Sequence, residues 1–532
     1  MKNLRYIIYS LAIVLGLASC TKNFEDVNSD PNRITNGQIQ AYNCFEPILY
    51  GVGSSQQNFA EYYNNDLIQV TAFTSGQTKQ IHLYFITAGN WQSVWDNYAR
   101  YANDCNHMAK LGATEGKKDN FYRAVGLILK VYNMENLTDL FGDIPYKEAF
   151  KLSDNLTPAF ESQEEVVSDM VADLDTATAL LAKNPIPGKT GLDLMYGDSP
   201  VKWIKLANSF RMRILCRLSG VNDTYWAKIQ EMLDNPTKYP VLASNDDNAN
   251  VPFQSIDPYM SYWGRDKTTQ DSFEQDRLTE RLVTMMAEFN DAGKSTFVDP
   301  RLPIIGKQRY GEWKGAISGL PIAQNDLADQ GAAVPNYNIL CRSNMPAFLF
   351  DYSEILFIEA EGVERGKLTV TGQTAKTLYE AAVQASMDKW NTIGSQAPTP
   401  KTVRPSDVTK LLGSSLGSYD KTVTGDGTSI YKSVLELILS QKFISQFYCG
   451  FEQFNEWRRT EYPILTIGSG TVANDYELPT RMGYPNYTIS SNAANAQKAL
   501  QRMGGDNNMH LALDWSYKKL NGGTHRNPYV AQ

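Results

Sequence analysis

Residues 90–108 read NWQSVWDNYARYANDCNHM, and this stretch decides the fold class. Its apolar side chains recur at steps of three and four residues: Trp91, Val94, Trp95, Tyr98, Ala102, Cys105 and Met108. Steps of three and four place side chains on one face of an α-helix, whereas a half-buried strand alternates at every second residue. The stretch therefore predicts an amphipathic helix with a buried face, on which the aromatic rings are core residues.

The same spacing continues along the chain. It is carried by Phe121, Val125, Ile128, Leu129 and Tyr132, and then by Val166, Met170, Leu174, Ala177 and Leu181. Ser162 and Glu165 form a capping box ahead of the later run, and Ser199 followed by Pro200 is typical of the start of a fourth helix. Further helices are predicted at 272–289, 348–365, 375–390, 429–448 and 493–503.

Strands are scarce in this pattern, and the stretches between helices are long and rich in Gly, Pro, Asn and Ser. The main stretches are 239–264, 297–345, 394–427 and 461–491. Loops of this length inside a folded chain usually carry function. Because no break in composition divides the chain, we predict one mainly α body of stacked helical hairpins, with long elaborated loops and little β-structure.

The composition excludes several classes of protein. The chain of 532 residues has 50 Lys plus Arg against 58 Asp plus Glu, which gives a formal net charge of −8. A mildly acidic chain lacks the basic face that a phosphate backbone requires, so nucleic acid is not expected as the main partner. No apolar run reaches the ~20 residues of a membrane-spanning helix, which excludes a polytopic membrane protein.

Residues 1–19 have the features of a secretory signal, with a positive start, a short apolar stretch and small residues before Cys20. The letters LASC at 17–20 also match a bacterial lipobox, in which the peptide is cut before the Cys and that Cys is acylated, for example with palmitate. A thiolate is the best available nucleophile for taking up a lipid. We therefore predict a lipid anchor at Cys20 and a single mature domain over 20–532; the alternative is an ordinary signal with a coincidental Cys.

The cysteines argue against a disulfide framework. There are six of them: Cys20, Cys44, Cys105, Cys216, Cys341 and Cys449. Removing Cys20 leaves an odd number, so the remainder cannot all pair within the chain. Cys105 and Cys216 fall within helical patterns, where a thiol behaves as a small buried hydrophobe.

Motifs for catalysis are mostly absent. The histidines form neither HExxH nor an i, i+4 pair, and there is no P-loop or GxGxxG. The letters GSSLG at 413–417 match GxSxG but follow a helical stretch, whereas a nucleophile elbow follows a strand. The stretch 245–250, NDDNAN, offers oxygen ligands without the spacing of a calcium loop. We predict no catalytic residue, metal or cofactor, although paired carboxylates for glycoside cleavage stay open.

Aromatic usage is the unusual feature of the composition. There are 30 Tyr and 9 Trp against 21 Phe, and rings with a polar tip suit half-wet surfaces. Sugar rings present flat C–H faces that pack on such rings, so a shallow aromatic site suits an oligosaccharide or, equally, a peptide. We take the loop aromatics as candidate ligand-binding residues: Tyr259, Tyr262, Trp263, Tyr310, Trp313 and Tyr337. The alternative for each is a ring that only tethers its loop.

Several segments, in this order and spacing, resemble a known family. They are NFEDVNSDPN at 23–32, LFGDIPY at 140–146, WIKLANSFRMR at 203–213, YSEILFIEAE at 352–361, GFEQFNEWRR at 450–459 and RMGYP at 481–485. Together they resemble the SusD/RagB-type nutrient-binding outer-membrane lipoproteins of Bacteroidota over nearly all of the mature chain. The glutamates of the fourth segment are expected to pair with Arg458 and Arg459 of the fifth.

The resemblance implies a fold scaffolded by tetratricopeptide-like hairpins and a lipid anchor at the outer membrane, facing outward. It also implies a non-enzymatic role, in which the protein is the lid of a SusC-like TonB-dependent transporter and delivers oligosaccharides or peptides to it. It transfers no ligand residues, because no binding motif of the family is preserved in the loops. Two other hypotheses stay open: a helical glycoside hydrolase with paired carboxylates, and a surface scaffold that binds protein alone.

Overall fold

The structure, a computed structural model, describes residues 38–527 except 77, 152–153 and 426. The predicted signal peptide, the lipidation site at Cys20 and the 23–32 segment lie outside the described residues. Within them the predicted mainly α fold is confirmed. The helices of eight or more residues are α1 (Ala41–Phe59), α2 (Ala88–Ala113), α3 (Asn120–Phe141), α4 (Gln163–Leu181), α5 (Pro200–Leu218), α6 (Thr224–Asp234), α7 (Tyr352–Glu364), α8 (Ala375–Ser395), α9 (Pro405–Gly413), α10 (Val434–Ser445), α11 (Glu452–Thr460) and α12 (Ala493–Met503).

Shorter helical segments connect these helices. They are Ala60–Asn64 (a π-helix), Asn65–Leu67, Ile81–Leu83, Asn245–Asp247, Tyr262–Asp266, Gln270–Phe273, Glu280–Met286, Leu302–Ile305, Ile322–Gln324, Asn325–Asp329, Tyr337–Leu340, Tyr419–Thr424, Thr471–Asn474, Asn486–Ser491 and Tyr517–Leu520. None of the helices in the described ranges combines the length and apolarity that a bilayer-spanning segment requires.

Helices α2 to α5 form the predicted stack of hairpins, since each packs against the next along the chain. The capping box forms as predicted: the Ser162 hydroxyl accepts from the Glu165 N–H, and the Glu165 carboxylate accepts from the Ser162 N–H at 2.8 Å. Helices α2 and α3 come close because Gly126 has no side chain; a Cβ there would lie 2.8 Å from the Cys105 carbonyl oxygen. Packing of this kind, more than intrinsic propensity, stabilises the helices of a globular protein.

Helix α1 is an element that the sequence pattern did not predict. Its interior contains Pro47 and a Gly- and Ser-rich stretch, which lower intrinsic helix propensity and weaken the apolar period. It forms because it is buried against α2 and β-structure, and Phe45 and Phe59 are fully buried. Gln57 at its end donates to the Met345 carbonyl at 2.8 Å, which ties α1 to a remote loop.

Eight short strands form four antiparallel pairs in the described residues. They are β1 (Thr71–Phe73) with β3 (Asp276–Leu278), β2 (Ala249–Val251) with β8 (Ala347–Phe350), β4 (Ala287–Phe289) with β5 (Ser295–Val298), and β6 (Gly306–Lys307) with β7 (Val334–Pro335). Two predicted helices are wrong in part. The stretch 272–289 is broken by β3 and ends in β4, and 348–365 begins as β8 and turns helical at Tyr352. β3 and β8 pair with strands that are remote in sequence and β4 pairs with the following strand β5; this pairing outweighs the local helical period.

Buried ion pairs connect the C-terminal helices to the hairpins. The predicted pairing of the 352–361 and 450–459 segments is confirmed for Glu361, which binds Arg459 at 2.8 Å. Glu354 instead takes a bidentate bond from Arg213 of α5, at 2.7 Å to each oxygen. Arg458 donates to the Asn455 side chain and to the Thr480 carbonyl. These segments therefore hold the scaffold together.

Candidate ligand-binding groove

The six predicted aromatic residues do not lie together in one site. Trp263 is 1% exposed and packs on Tyr448 with ring centroids 4.5 Å apart, and Trp313 is 7% exposed. Both are core residues in this structure, so a ligand at the surface does not reach their rings. Their loops are short helical and turn segments that fold back onto the body, and folding back buries the large rings.

The other four predicted residues are more open. Tyr262 is half-buried, and its N–H donates to the Gln57 side chain at 2.9 Å. Tyr337 is half-buried and packs on Phe273. Tyr310 is 73% exposed, in the separate segment between β6 and β7. The remaining one, Tyr259, lines a solvent-open cavity.

This cavity, called the Tyr259 groove here, has a volume of about 480 Å³. It is lined by Tyr42, Asn43, Glu46, Pro47, Tyr50, Lys189, Leu192, Pro258 and Tyr259. Its volume lies within the range of about 300–1,000 Å³ that is typical of small-ligand sites. The lining combines three Tyr rings with an amide, a carboxylate and an ammonium group, as the predicted shallow aromatic site requires.

Helix α1 supplies one wall of the groove. Tyr42, Glu46 and Tyr50 are spaced by four residues, and this spacing puts them on one face of the helix. Pro47 lies on the same wall and has no N–H, so the Asn43 carbonyl is left without that intrahelical donor. The wall therefore combines aromatic, acidic and apolar side chains of one helix.

The 254–259 loop supplies the opposite wall. The ring centroids of Tyr259 and Tyr50 are 4.9 Å apart, and the Gln254 side chain donates to the Tyr50 hydroxyl at 3.3 Å. The backbone of the loop closes on itself, since the Gln254 N–H donates to the Tyr259 carbonyl at 2.8 Å. Burial raises the pKa of Tyr50, which keeps its hydroxyl protonated at neutral pH.

The third wall is the segment that carries Lys189 and Leu192. The Tyr122 hydroxyl donates to the Lys189 carbonyl at 2.9 Å, and the Gly188 N–H donates to the Asp119 carboxylate at 2.9 Å. Asp119 also caps α3, so one carboxylate fixes both the helix start and this wall. The groove is thus built from rigid helices and from loops that are bound to them.

The groove contains few groups that could take part in bond cleavage. Glu46 is the one carboxylate in its lining, whereas glycosidases of the usual kind use two flanking the scissile bond. The lining also contains no Ser, Cys or His that could be a nucleophile or general base. Rings, an amide and one charge of each sign are suited to holding a sugar in place.

Two other cavities differ in character. One of about 220 Å³ is lined mainly by apolar residues, among them Trp95 and Phe160, and gives hydroxyl groups few partners. Another of about 350 Å³ lies between α4, α5 and α6. No group of His, Cys, Asp and Glu in the described part of the chain could hold a metal ion. Asp247 of the NDDNAN stretch is buried and instead binds Lys205 at 2.7 Å.

Sequence reasoning missed Tyr42, Glu46 and Tyr50. The available signal was their four-residue spacing, which becomes visible once 41–59 is known to be a helix. Apolar periodicity alone gave no such indication, because Tyr42 and Glu46 lie on the more open side of α1 and its buried face is interrupted by Gly and Ser.

The helical stack and the long loops define a mainly α fold with an open groove at its surface. Residues 31–485 match the SusD-like family described as starch-binding and associating with the outer membrane, and the chain belongs to this family. The family resemblance found in the sequence is confirmed. No curated protein sequence matches the chain significantly.

Solved structures share this fold over most of the chain. A SusD homologue from Parabacteroides distasonis ATCC 8503 has a TM-score of 0.74 at 22% identity, covering 89% of this chain and 98% of its own. A chitin-binding SusD homologue from Flavobacterium johnsoniae has a TM-score of 0.69 at 21% identity, covering 89% and 98%. A further chitin-binding protein has a TM-score of 0.71 at 22% identity, covering 89% and 99%. At these identities the likeness shows the fold alone.

Proposed function

We propose that the chain is a surface lipoprotein, anchored through Cys20, that binds oligosaccharides and delivers them unaltered to a SusC-like TonB-dependent transporter in the outer membrane. The observation that carries the binding role is the Tyr259 groove, where three Tyr rings surround polar side chains in an open cavity of about 480 Å³. The ring faces pack on sugar C–H groups, and Asn43, Glu46 and Lys189 bond to hydroxyls.

The family supports this choice of ligand. Its description names starch, and two structures of the same fold are chitin-binding proteins. Starch and chitin are both neutral polymers of pyranose rings. A site lined by aromatic side chains and few charged groups suits such a polymer. A peptide is the second candidate, because Glu46 and Lys189 would also complement a peptide's charged ends.

The role as a transporter lid rests on the resemblance and on the predicted anchor. A lipid at Cys20 would hold the chain at the membrane that contains the transporter, and the description of the family as outer-membrane-associated agrees with this location. The sequence contains no P-loop for nucleotide binding, so we assign the energy for import to the partner.

The hydrolase and the scaffold hypotheses make different predictions about the same groove. A hydrolase would release shorter sugars, and a protein-binding scaffold would show no affinity for a saccharide. The single carboxylate of the groove argues against the first, and the open ring faces argue against the second.

The test is calorimetric titration of the purified protein with maltohexaose and with chitohexaose. Tyr259→Ala removes one ring of the groove, and we expect the affinity to fall about tenfold, or roughly 1.4 kcal/mol. Tyr310→Ala is the matched control, because it removes an exposed Tyr from another segment. Equal affinity of the two variants, or no binding of either hexasaccharide by the wild-type protein, would contradict the proposal.

A further inference from the structure

The 30–37 segment, which reads DPNRITNG, directly precedes the described residues and leads into the Tyr259 groove. The described chain begins at Gln38, and α1 begins at Ala41. The first turn of α1 then places Tyr42 and Asn43 in the lining of the groove. Because an extended chain advances at most about 3.6 Å per residue, Gly37 lies no more than about 18 Å from Tyr42.

The described chain starts at one end of the groove. The Lys117 ammonium, in the turn between α2 and α3, donates to the Ile39 carbonyl at 3.0 Å. At the end of the same turn, Asp119 accepts from the Gly188 N–H at 2.9 Å, and a Cβ on Gly188 would lie 3.5 Å from the Tyr42 ring. The start of the chain, the Tyr42 ring and the third wall therefore meet at this end.

Exposed aliphatic side chains lie close in sequence to the lining on two walls of the groove. Ile186 is 84% exposed and comes three residues before Lys189 of the third wall. Ile256 is 61% exposed and comes three residues before Tyr259. Apolar side chains that remain in water around a concave surface are typical of an interaction site. A covering segment with an apolar side chain of its own would remove part of this surface from water.

The residues of the 30–37 segment complement those of the groove. Ile34 is aliphatic, Arg33 is a cation and Asp30 is an anion. The groove has Tyr rings for the first, the Glu46 carboxylate for the second and the Lys189 ammonium for the third. Exposed ion pairs are weak one by one, at about 0–1 kcal/mol each. A short tether compensates for this weakness, because it holds the segment at an effective concentration in the millimolar range.

The segment is long enough to lie along α1. An Asn-Gly dipeptide, here at 36–37, is typical of a turn, and a reversal at this point directs the chain back along the helix. Glu46 is at most about 18 Å from Gln38, since three extended residues lead to Ala41 and five residues of helix rise follow. Arg33 precedes Gln38 by five residues, which span about 17 Å when extended, and its long side chain supplies the remaining reach.

We propose that the 30–37 segment folds back along α1 and covers the Tyr259 groove when no ligand is bound, with Ile34 at the Tyr42 ring and Arg33 at Glu46. This inference rests on the proposed function only for its consequence, since the contact requires the groove and not the sugar. A ligand has to displace the segment, so its apparent affinity is reduced by the fraction of molecules whose groove is open. The segment also joins the groove to the predicted anchor at Cys20, so ligand binding frees the chain between them.

The experiment places a photoreactive residue in the segment of the purified mature chain. Ile34 is replaced by p-benzoylphenylalanine, which inserts into neighbouring C–H bonds under near-ultraviolet light, and the attachment sites are mapped by mass spectrometry. We expect attachment within 42–50, 186–192 or 254–259. Adding Arg33→Glu should reduce the yield about threefold, because it replaces attraction to Glu46 by repulsion.

The matched control has the same photoreactive residue at Val423, which is 61% exposed on a segment that does not line the groove. This control should give no attachment to the three ranges. Placement at Thr35 repeats the test if the position 34 variant is poorly produced. A second measurement is calorimetric titration with maltohexaose and chitohexaose, in which the double variant Arg33→Glu, Ile34→Asp should bind about threefold more tightly than wild type.

Several results would overturn the inference. They are attachment outside the three ranges, a product of twice the chain mass that shows contact with a second copy, and an unchanged yield in Arg33→Glu. Attachment within the groove that neither hexasaccharide reduces would contradict oligosaccharide binding there and leave the covering segment standing. Hexasaccharide binding that depends on Tyr259, without attachment to the groove, would support the proposed function and refute the covering segment.

Discussion

Tyr50 in the middle of α1 and Tyr259 in the 254–259 loop lie with ring centroids 4.9 Å apart and ring planes at 49°. Tyr50 is 9% exposed and supports Tyr259, which is more open. The pair therefore connects α1 to the 254–259 loop. The sequence pattern did not predict α1, but the loop contains Tyr259, one of the predicted binding residues. A rigid ring beneath an open one reduces the conformational entropy that a ligand must remove on binding.

Glu46→Gln tests whether the groove binds without cleavage. The substitution removes the charge of the one carboxylate in the lining, and a hydrogen bond to a charged group contributes about 1.5–3 kcal/mol. We expect roughly tenfold weaker binding of a hexasaccharide by calorimetry. We also expect intact hexasaccharide after prolonged incubation with either wild type or variant, as measured by chromatography. Shorter sugars that appear with the wild type and vanish with Glu46→Gln would favour the hydrolase.

Trp263→Ala should damage the fold. The ring is 1% exposed and packs on Tyr448 and Phe273, so its removal leaves a large cavity. We expect the free energy of unfolding to fall by about 3–5 kcal/mol. Tyr310→Ala, at a ring that is 73% exposed, should change it by less than about 0.5 kcal/mol. Denaturant titration measures both values, and a Trp263 variant as stable as the Tyr310 variant would disprove this placement.

Gly126→Ala should weaken the packing of α2 on α3. Alanine normally stabilises a helix over glycine by about 1 kcal/mol, but a Cβ at 126 would lie 2.8 Å from the Cys105 carbonyl oxygen and 3.0 Å from the Ala109 nitrogen. We expect a net loss of about 1–3 kcal/mol of unfolding free energy. The control is Gly89→Ala in α2, where the nearest atom is 3.7 Å away. Similar stability of the two variants would show that α2 and α3 accommodate the added methyl group without a loss of packing energy.

Glu359→Gln should change how stability depends on pH. Burial raises the pKa of Glu359 from 4.5 to about 7, so the folded state holds this proton more tightly than the unfolded state does. Stability from this group is present below about pH 4.5 and is lost as pH rises toward 7. Relative to wild type, the Gln variant should therefore gain stability between pH 4 and pH 8, by up to roughly 3 kcal/mol. Unfolding titrations of wild type and variant at pH 4 and pH 8 measure this gain. The same difference in unfolding free energy between the two proteins at both pH values would contradict it.

Cys20→Ser tests the anchor. The predicted lipidation begins at the Cys20 thiol, so the variant should lose its acyl chains and leave the membrane fraction. Metabolic labelling with a radioactive fatty acid followed by fractionation measures both effects. Cys44→Ser is the control, because it changes a thiol within α1 and should keep the label. A Cys20→Ser protein that still carries label would disprove lipidation at this residue.

The local pattern predicted most of the helical scaffold. Helices α4 and α5 begin at the predicted caps Ser162 and Ser199, and α12 spans the predicted 493–503, because apolar period and capping chemistry agree at these places. The pattern was wrong at 272–289, where β3 pairs with β1, and Lys79 binds Asp276 at 3.0 Å. The apolar periodicity of a short stretch contains no information about pairing partners that are remote along the chain.

The candidate site, too, was predicted only in part from the sequence. Composition indicated that half-wet Tyr and Trp rings matter, but it could not separate Tyr259 at the groove from Trp263 in the core. Both belong to one loop region, and their environments differ because one faces α1 across open space and the other packs on Tyr448.

By itself the sequence determined the helical hairpins and the likeness to SusD-like proteins, and it predicts a lipid anchor at Cys20, since each depends on neighbouring residues or on a fixed order of segments. Only the tertiary structure decided which aromatic rings face solvent and that α1 forms the wall of a groove. Burial and hydrogen-bond partnership are properties of chain segments brought together in space, and side chains of the same type take opposite roles depending on what packs against them.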